Sequence, residues 1–351
     1  MSRRIYSLAY LTADACTVPE AIELAAALGY AYVGLRLMPN GPGAPQQTLI
    51  GHEALLRETQ ARLRDTGVQV YDLEIIRLGE AFEPETYRPL WDTAAALGAR
   101  AVLVAADDLD RARLAHNYAR LCECMRPYGL TADLEFMPWT AVKNARDALD
   151  VVARADHPAN AGLLVDALHF GRSTTSLQDI AAIPRSLLHY AQIADAVAGQ
   201  DFTVEQMIHT ARSERSLPGE GNIDLPGLFA ALPQDLPVSV EVVHHARSRA
   251  MGAQAWARQL TTQGWHGVEP LRGVYAFAGG AVVYGRLMQG WLAQARVDGG
   301  LIMCHPAQGT DPTDPITMAR QWEYDYLASE AFAHDLTVAG VRLAPGRALH
   351  S

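Results

Sequence analysis

The chain has 351 residues, with 29 Lys plus Arg against 39 Asp plus Glu and a formal net charge of −10 at pH 7. Its 49% hydrophobic and 19% charged residues supply a large core, which excludes a disordered or fibrous chain. An acidic balance with no Lys/Arg cluster argues against nucleic acid or an anionic membrane surface as partner. The four cysteines, Cys16, Cys122, Cys124 and Cys304, form neither a disulfide framework nor a zinc spacing, so a reduced, cytoplasmic setting is expected. The opening MSRRIYSLAYLTADAC is interrupted by Asp14 and does not read as a signal peptide. The Gly-rich apolar stretch Val274–Gly285 is shorter than the roughly 20 residues a spanning helix needs.

In chain order, short β-branched or apolar runs predict strands at Ile5–Tyr10, Ala31–Leu35, Val68–Glu74, Ala101–Ala105, Thr131–Phe136, Gly162–Asp166, Leu188–Ile193 and Val238–Val242. Ala/Leu-rich stretches with helical spacing separate them, among them Pro19–Leu28, Leu55–Arg64, Tyr87–Leu97 and Leu109–Met125. The segments LGYAYVGL, TGVQVYDL, LGARAVLV and YGLTADLEF each set a Gly at a helix end just before a strand, the pattern of a left-handed helix terminus. Strands alternating with helices imply a parallel sheet, and eight such units imply a closed (β/α)₈ barrel. Residues 1–265 are therefore expected to form the barrel and 266–351 an α/β extension. In the extension, Gly300–Cys304 reads as a strand, Pro306–Pro315 as a loop and Ile316–Leu336 as a helix. Its large apolar groups, such as Trp265, Trp291, Trp322 and Phe332, need cover, so a homo-oligomer or a cap on the barrel is expected.

Barrel enzymes of this kind carry their sites at the C-terminal strand ends. The fifth run ends in Glu135, the sixth in Asp166, the seventh in Gln192 and the eighth in Glu241. Three carboxylates buried together are costly without a compensating cation. With an amide oxygen they make an all-oxygen set suited to one Mn²⁺ or Mg²⁺ ion, or to Co²⁺. His169, three residues past Asp166, is a candidate general base, with Glu135 and Glu241 as the other candidates. Arg77 and Arg215, with Arg212 weaker, are candidates to anchor a substrate carboxylate or phosphate. His244 and His245 follow Glu241, and one of them is expected to line the mouth. Tyr10 and Trp139 are expected to wall it, and Glu74 can enter it. Asp224 reads as the cap of the last barrel helix.

DLEFMPW, LLVDALHFGRS, AQIADA, RSLPGEGNIDLPGLFAAL and VSVEVV together resemble the xylose-isomerase-like TIM-barrel superfamily over residues 1–262. The resemblance implies a (β/α)₈ TIM barrel whose single divalent metal is held by Glu135, Asp166, Gln192 and Glu241. It implies an isomerase or epimerase that takes a sugar or cyclitol-like substrate through an enediolate. The alternative it carries is a 3-dehydroshikimate dehydratase. Gln192, where many sugar epimerases have His, favours that lyase branch, whereas LEIIRLGE lacks the Arg-Asp-Phe-Glu-Gly run of those dehydratases. A non-catalytic sugar-binding or scaffold protein is the third expectation. Residues 273–343 resemble the C-terminal end of YdjC-like carbohydrate deacetylases, with His305 in their His-Pro pair. The Asp and His metal ligands of that family have no counterpart here, so the tail is read as a remnant without its hydrolytic activity.

Overall fold

The computed structural model describes residues 5–252 except 42 and 45, together with 255–257, 259, 280–293, 302, 304, 306–309, 314 and 316–343. Trp265 and His305 lie outside the described residues. By its internal contacts the chain divides into two units, Met1–Thr261 and Thr262–Ser351.

The first unit is a closed, all-parallel barrel in the order β1 to β8. The strands are β1 (Tyr6–Leu8), β2 (Tyr32–Leu35), β3 (Gln69–Leu78), β4 (Ala101–Ala106), β5 (Thr131–Glu135), β6 (Ala161–Asp166), β7 (Ala191–Ile193) and β8 (Val238–Val240). The glycines that precede β3 and β4 do what their sequence position requires. Gly67 and Gly98 end their helices with φ of 75° and 68°, a conformation that costs a residue with a Cβ about 1 kcal/mol or more. The barrel closes where β1 meets β8, with Tyr6, Ser7 and Leu8 opposite Val238, Ser239 and Val240. Thr12 ties this seam: its hydroxyl donates to the Val240 carbonyl at 2.7 Å and accepts from the Val242 N–H at 2.8 Å.

Helices pack on the outer face through wholly buried groups such as Ile22, Trp91 and Tyr118. Inside, Tyr32, Tyr71 and Tyr190 plug the N-terminal end, with successive ring centroids 5.2 and 5.3 Å apart. The Tyr71 hydroxyl donates to the His189 carbonyl at 2.7 Å.

Strand ends differ from the sequence expectation in ways that matter at the mouth. β3 runs on to Leu78, so Arg77 is a strand residue, and its pairing with β4 shifts register between Leu73 and Ile76. β7 is only Ala191–Ile193, and Glu241 stands one residue beyond β8. In the second unit the described elements are three helices, Gly280–Leu292, Thr317–Leu327 and Glu330–Ala339. The single helix expected over Ile316–Leu336 is two, because the Ser329 hydroxyl caps a new helix by accepting from the Phe332 N–H. These helices share a core of Tyr284, Met288, Leu292, Tyr326 and Phe332, flanked by Trp291. No helix among the described residues is long and apolar enough to cross a membrane.

Candidate functional site

The side-chain period of two sends Glu135, Asp166 and Gln192 into the barrel, and Glu241 follows from the end of β8. Asp166 and Gln192 are direct partners across β6 and β7. All four side chains are buried, Asp166 and Gln192 completely. Arg215, buried in the loop before the Pro218–Gly221 turn, bridges two of them. Its terminal nitrogens lie 2.6 Å from Asp166 Oδ2 and 2.8 Å from Glu241 Oε2. Burial favours the neutral form of Asp166, but Arg215 outweighs it and holds the carboxyl below its usual range. Burial raises Glu135, with Asp166 adding to it, and raises Glu241 against the pull of Arg215.

Asp166 also caps the short helix Ala167–Arg172, accepting from the His169 N–H at 3.1 Å. That cap turns His169 inward, where its Nε2 is 3.5 Å from Glu135 Oε1. Potential ligand atoms of Glu135, Asp166 and His169 lie within 4.8 Å of one another. Burial lowers the His169 pKa to about 4, so the ring is neutral near pH 7. The Gln192 amide has no hydrogen-bond partner at either Oε1 or Nε2 among the described residues. Buried amides are normally satisfied, so an unsatisfied one set among carboxylates fits a ligand to a hard cation.

The β1–β3 side of the mouth is arranged differently. Glu74 Oε2 is 2.6 Å from an Arg36 terminal nitrogen, both groups being buried, and that guanidinium lies 4.4 Å over the Tyr10 ring. Arg77 makes a two-pronged contact with Asp107 and reaches Asn40 at 3.3 Å. Arg212 is exposed and lies within electrostatic reach of Arg77 and Arg36. Both arginines expected to anchor substrate, Arg77 and Arg215, thus have their terminal nitrogens engaged by neighbouring side chains.

Other expected residues fall around the rim. His244 is half-buried, stands edge-on to Trp256 at 5.8 Å and caps the helix His245–Met251. His245 pairs with Asp14 at 3.0 Å. Trp139 stands edge-on to His169, with ring centroids 4.9 Å apart. Asp195 organises the Pro-Gly-Glu-Gly turn, accepting from the N–H groups of Gly219, Gly221 and Ile223. Asp224 caps its helix through the Gly227 N–H.

Sequence reasoning passed over a deeper polar layer. Two residues below Glu74 and Glu135 on the same strands are Asp72 and Asp133, both wholly buried. Asp133 is held by the His189 ring at 2.6 Å and the Thr131 hydroxyl at 2.6 Å. Asp72 lies against Gly34, where a Cβ would come within 2.9 Å of its Oδ1. Neither of its oxygens has a partner among the described residues, and burial, with Glu74 and Asp133 adding to it, raises its carboxyl. The signal was present in the paired strings YDLE and ADLE, since residues two apart on a strand share a face.

Against known proteins, a sequence profile described as xylose isomerase-like TIM barrel matches residues 22–261. A 3-dehydroshikimate dehydratase of Pseudomonas aeruginosa is 29% identical over 244 residues, which is 64% of this chain and 36% of that protein. The chain thus spans about a third of the length of this curated relative. The crystal structure of IolI protein with a binding zinc atom superposes with a TM-score of 0.59 at 20% identity, covering 74% of this chain and 96% of that one. The probable 3-DHS dehydratase AsbF from Bacillus anthracis gives a TM-score of 0.59 at 15% identity, covering 73% and 98%. At these identities the two structures establish the shared fold.

Proposed function

The chain belongs to the xylose isomerase-like TIM barrel family, and on that premise we propose that it is a divalent-metal-dependent enzyme acting on a small polyhydroxylated carbonyl compound. The reaction begins by removing the proton from the carbon next to the carbonyl. The observation that carries this reading is the unpartnered Gln192 amide, buried between Asp166 and the last strand. Glu135, Asp166, Gln192 and Glu241 would hold the ion, and their oxygen donors suit Mn²⁺, Mg²⁺ or Co²⁺. Bound there, the ion supplies a Lewis acid for the substrate carbonyl.

The chain's own residues do the rest. Arg215 keeps Asp166 and Glu241 aligned and compensates their charge. His169, neutral and buried beside Glu135, accepts the substrate proton on its ring. Glu135 stands 3.5 Å away as the second proton-holding group. Return of the proton elsewhere gives an isomer or epimer, and loss of hydroxide from the neighbouring carbon gives a dehydrated product. The Pseudomonas aeruginosa relative and the amide at position 192 favour dehydration of a cyclitol-like substrate. Isomerisation or epimerisation of a sugar uses the same first step.

Metal analysis together with solvent-deuterium exchange on keto-sugars and 3-dehydroshikimate tests this reading. Glu241→Ala removes a charged ligand and is expected to lose bound metal and exchange together. Full metal occupancy in that variant would sink the ligand assignment. A wild-type protein that binds metal but exchanges no substrate proton would instead support a binding or scaffold role.

A further inference from the structure

Arg172 is a buried cation for which the described residues supply no carboxylate at salt-bridge distance. It ends the helix that Asp166 caps and is 5% exposed. Its Nε donates to the Val197 carbonyl at 3.1 Å, and its guanidinium lies 4.1 Å over the Phe202 ring. These contacts fix the side chain without neutralising it. Its Nη1 is buried and has no hydrogen-bond partner among the described residues. Arg36 has Glu74, Arg77 has Asp107, and Arg215 has Asp166 with Glu241. Burial disfavours the charge on Arg172, and the neighbouring cation Arg215 adds to that. A buried guanidinium without a counter-ion is costly, so an anion is what this position lacks.

Two further buried nitrogens have no hydrogen-bond partner among the described residues. They are Trp139 Nε1 and His169 Nδ1, whose rings stand 4.9 Å apart. Arg172 follows His169 by three residues on the helix Ala167–Arg172, a spacing that makes two side chains neighbours on one helix face. Two donors, the Arg172 Nη1 and the Trp139 indole N–H, therefore belong to side chains that neighbour the candidate base.

We propose that Arg172 and Trp139 form a seat for an oxyanionic group on the substrate, a carboxylate in preference to a phosphate, and so select acids over neutral sugars. The placement rests on the site proposed above, but the selectivity can be read without any turnover. A planar carboxylate has two oxygens to offer the two donors, whereas a phosphate dianion brings a third oxygen and a second charge that these donors do not match. The anionic group would orient the substrate so that its reacting carbon faces His169, and neither residue moves a proton.

The test is ligand binding by calorimetry to the full chain, with the two members of each pair differing by the anion. The pairs are 3,4-dihydroxybenzoate with catechol, and fructose 6-phosphate with fructose. The wild type is expected to bind 3,4-dihydroxybenzoate at least about tenfold more tightly than catechol, the usual worth of a charged hydrogen bond. Arg172→Gln should bring that ratio to near one while leaving metal binding unchanged. Trp139→Phe keeps the ring, removes one N–H, and should cut the ratio several-fold; it keeps the test open if Arg172→Gln unfolds. Selectivity confined to the phosphate pair and lost in both variants would keep the anion seat and reassign the anion. Equal binding of acid and neutral partner, no binding of either acid, or full selectivity in Arg172→Gln would each overturn the proposal. Loss of exchange activity alone would bear on the proposed reaction and leave the seat standing.

Discussion

The two sides of the barrel mouth treat charge in opposite ways. Between β1 and β4 the charged groups are matched within the chain: Arg36 with Glu74, and Arg77 with Asp107. Between β5 and β8 Asp166 and Glu241 share one guanidinium, Arg215, while Gln192 and the Nδ1 of His169 have no hydrogen-bond partner among the described residues. At the mouth the first side is complete in its charge pairing, each arginine facing its own carboxylate, and the second is not, because one guanidinium serves two carboxylates. Buried polar groups without partners are expensive, and the described residues carry them on both sides: Arg36 Nε, Glu74 Oε1 and the Asp72 carboxyl on one, the Gln192 amide and His169 Nδ1 on the other.

The sharpest way to break this contrast is to remove the base from the incomplete side. His169→Ala is expected to lower kcat by about 10²–10⁴, the common worth of a positioned acid or base, with a smaller change in KM. Metal content should stay near wild type, because Glu135, Asp166, Gln192 and Glu241 remain. Single-turnover exchange of the substrate proton reads the effect directly. A near-normal exchange rate would transfer the base role to Glu135 or Glu241.

On the complete side the same kind of truncation should cost folding rather than chemistry. Glu74→Ala strands Arg36 in a buried position, and removing one partner of a buried pair typically costs about 3–5 kcal/mol. Urea denaturation with an unchanged slope would report that loss as a lower midpoint. Metal binding by the folded fraction should persist. If Glu74→Ala instead releases the metal while leaving stability intact, the two sides are not divided as described.

The contrast was only partly legible in the sequence. The barrel could be read because each Gly that ends a helix sits immediately before an apolar run, and Gly67 and Gly98 indeed take the left-handed conformation. Glu135, Asp166, Gln192 and Glu241 could be read because each ends or closely follows such a run. Arg36 and Arg172 could not. In GLRLM and HFGRS they look like surface residues, and only the fold reveals that one pairs with Glu74 and the other lies over Phe202. Asp72 and Asp133 were hidden because they lie inside the apolar runs Val68–Glu74 and Thr131–Phe136 and not at their ends. In the second unit, the helix Gly280–Leu292 went unread because Gly285 and Gly290 interrupt its pattern. The break at Ser329 was missed because helical spacing continues across it.

The smallest expected effect concerns the layer beneath the incomplete side. Asp133 is fully buried and meets His189 at 2.6 Å, with the His189 side chain 26% exposed. Burial lowers the proton affinity of His189, but its hydrogen bond and attraction to Asp133 prevail and raise its pKa above the ordinary 6.5. The folded state therefore binds this proton more tightly than the unfolded chain does. The stabilisation is fully present below about pH 6.5 and is lost as pH rises through the higher folded-state value. For a partly exposed pair it should be about 1 kcal/mol or less. His189→Gln keeps a donor to Asp133 and removes the titration, so the stability difference between wild type and variant should shrink as pH rises from 6 to 9, a window spanning ~6.5. A difference that stays constant across that range would show that folding leaves the proton affinity of His189 unchanged, with Asp133 held by hydrogen bonding rather than by an imidazolium. The deep layer would then carry an uncompensated charge like the mouth above it.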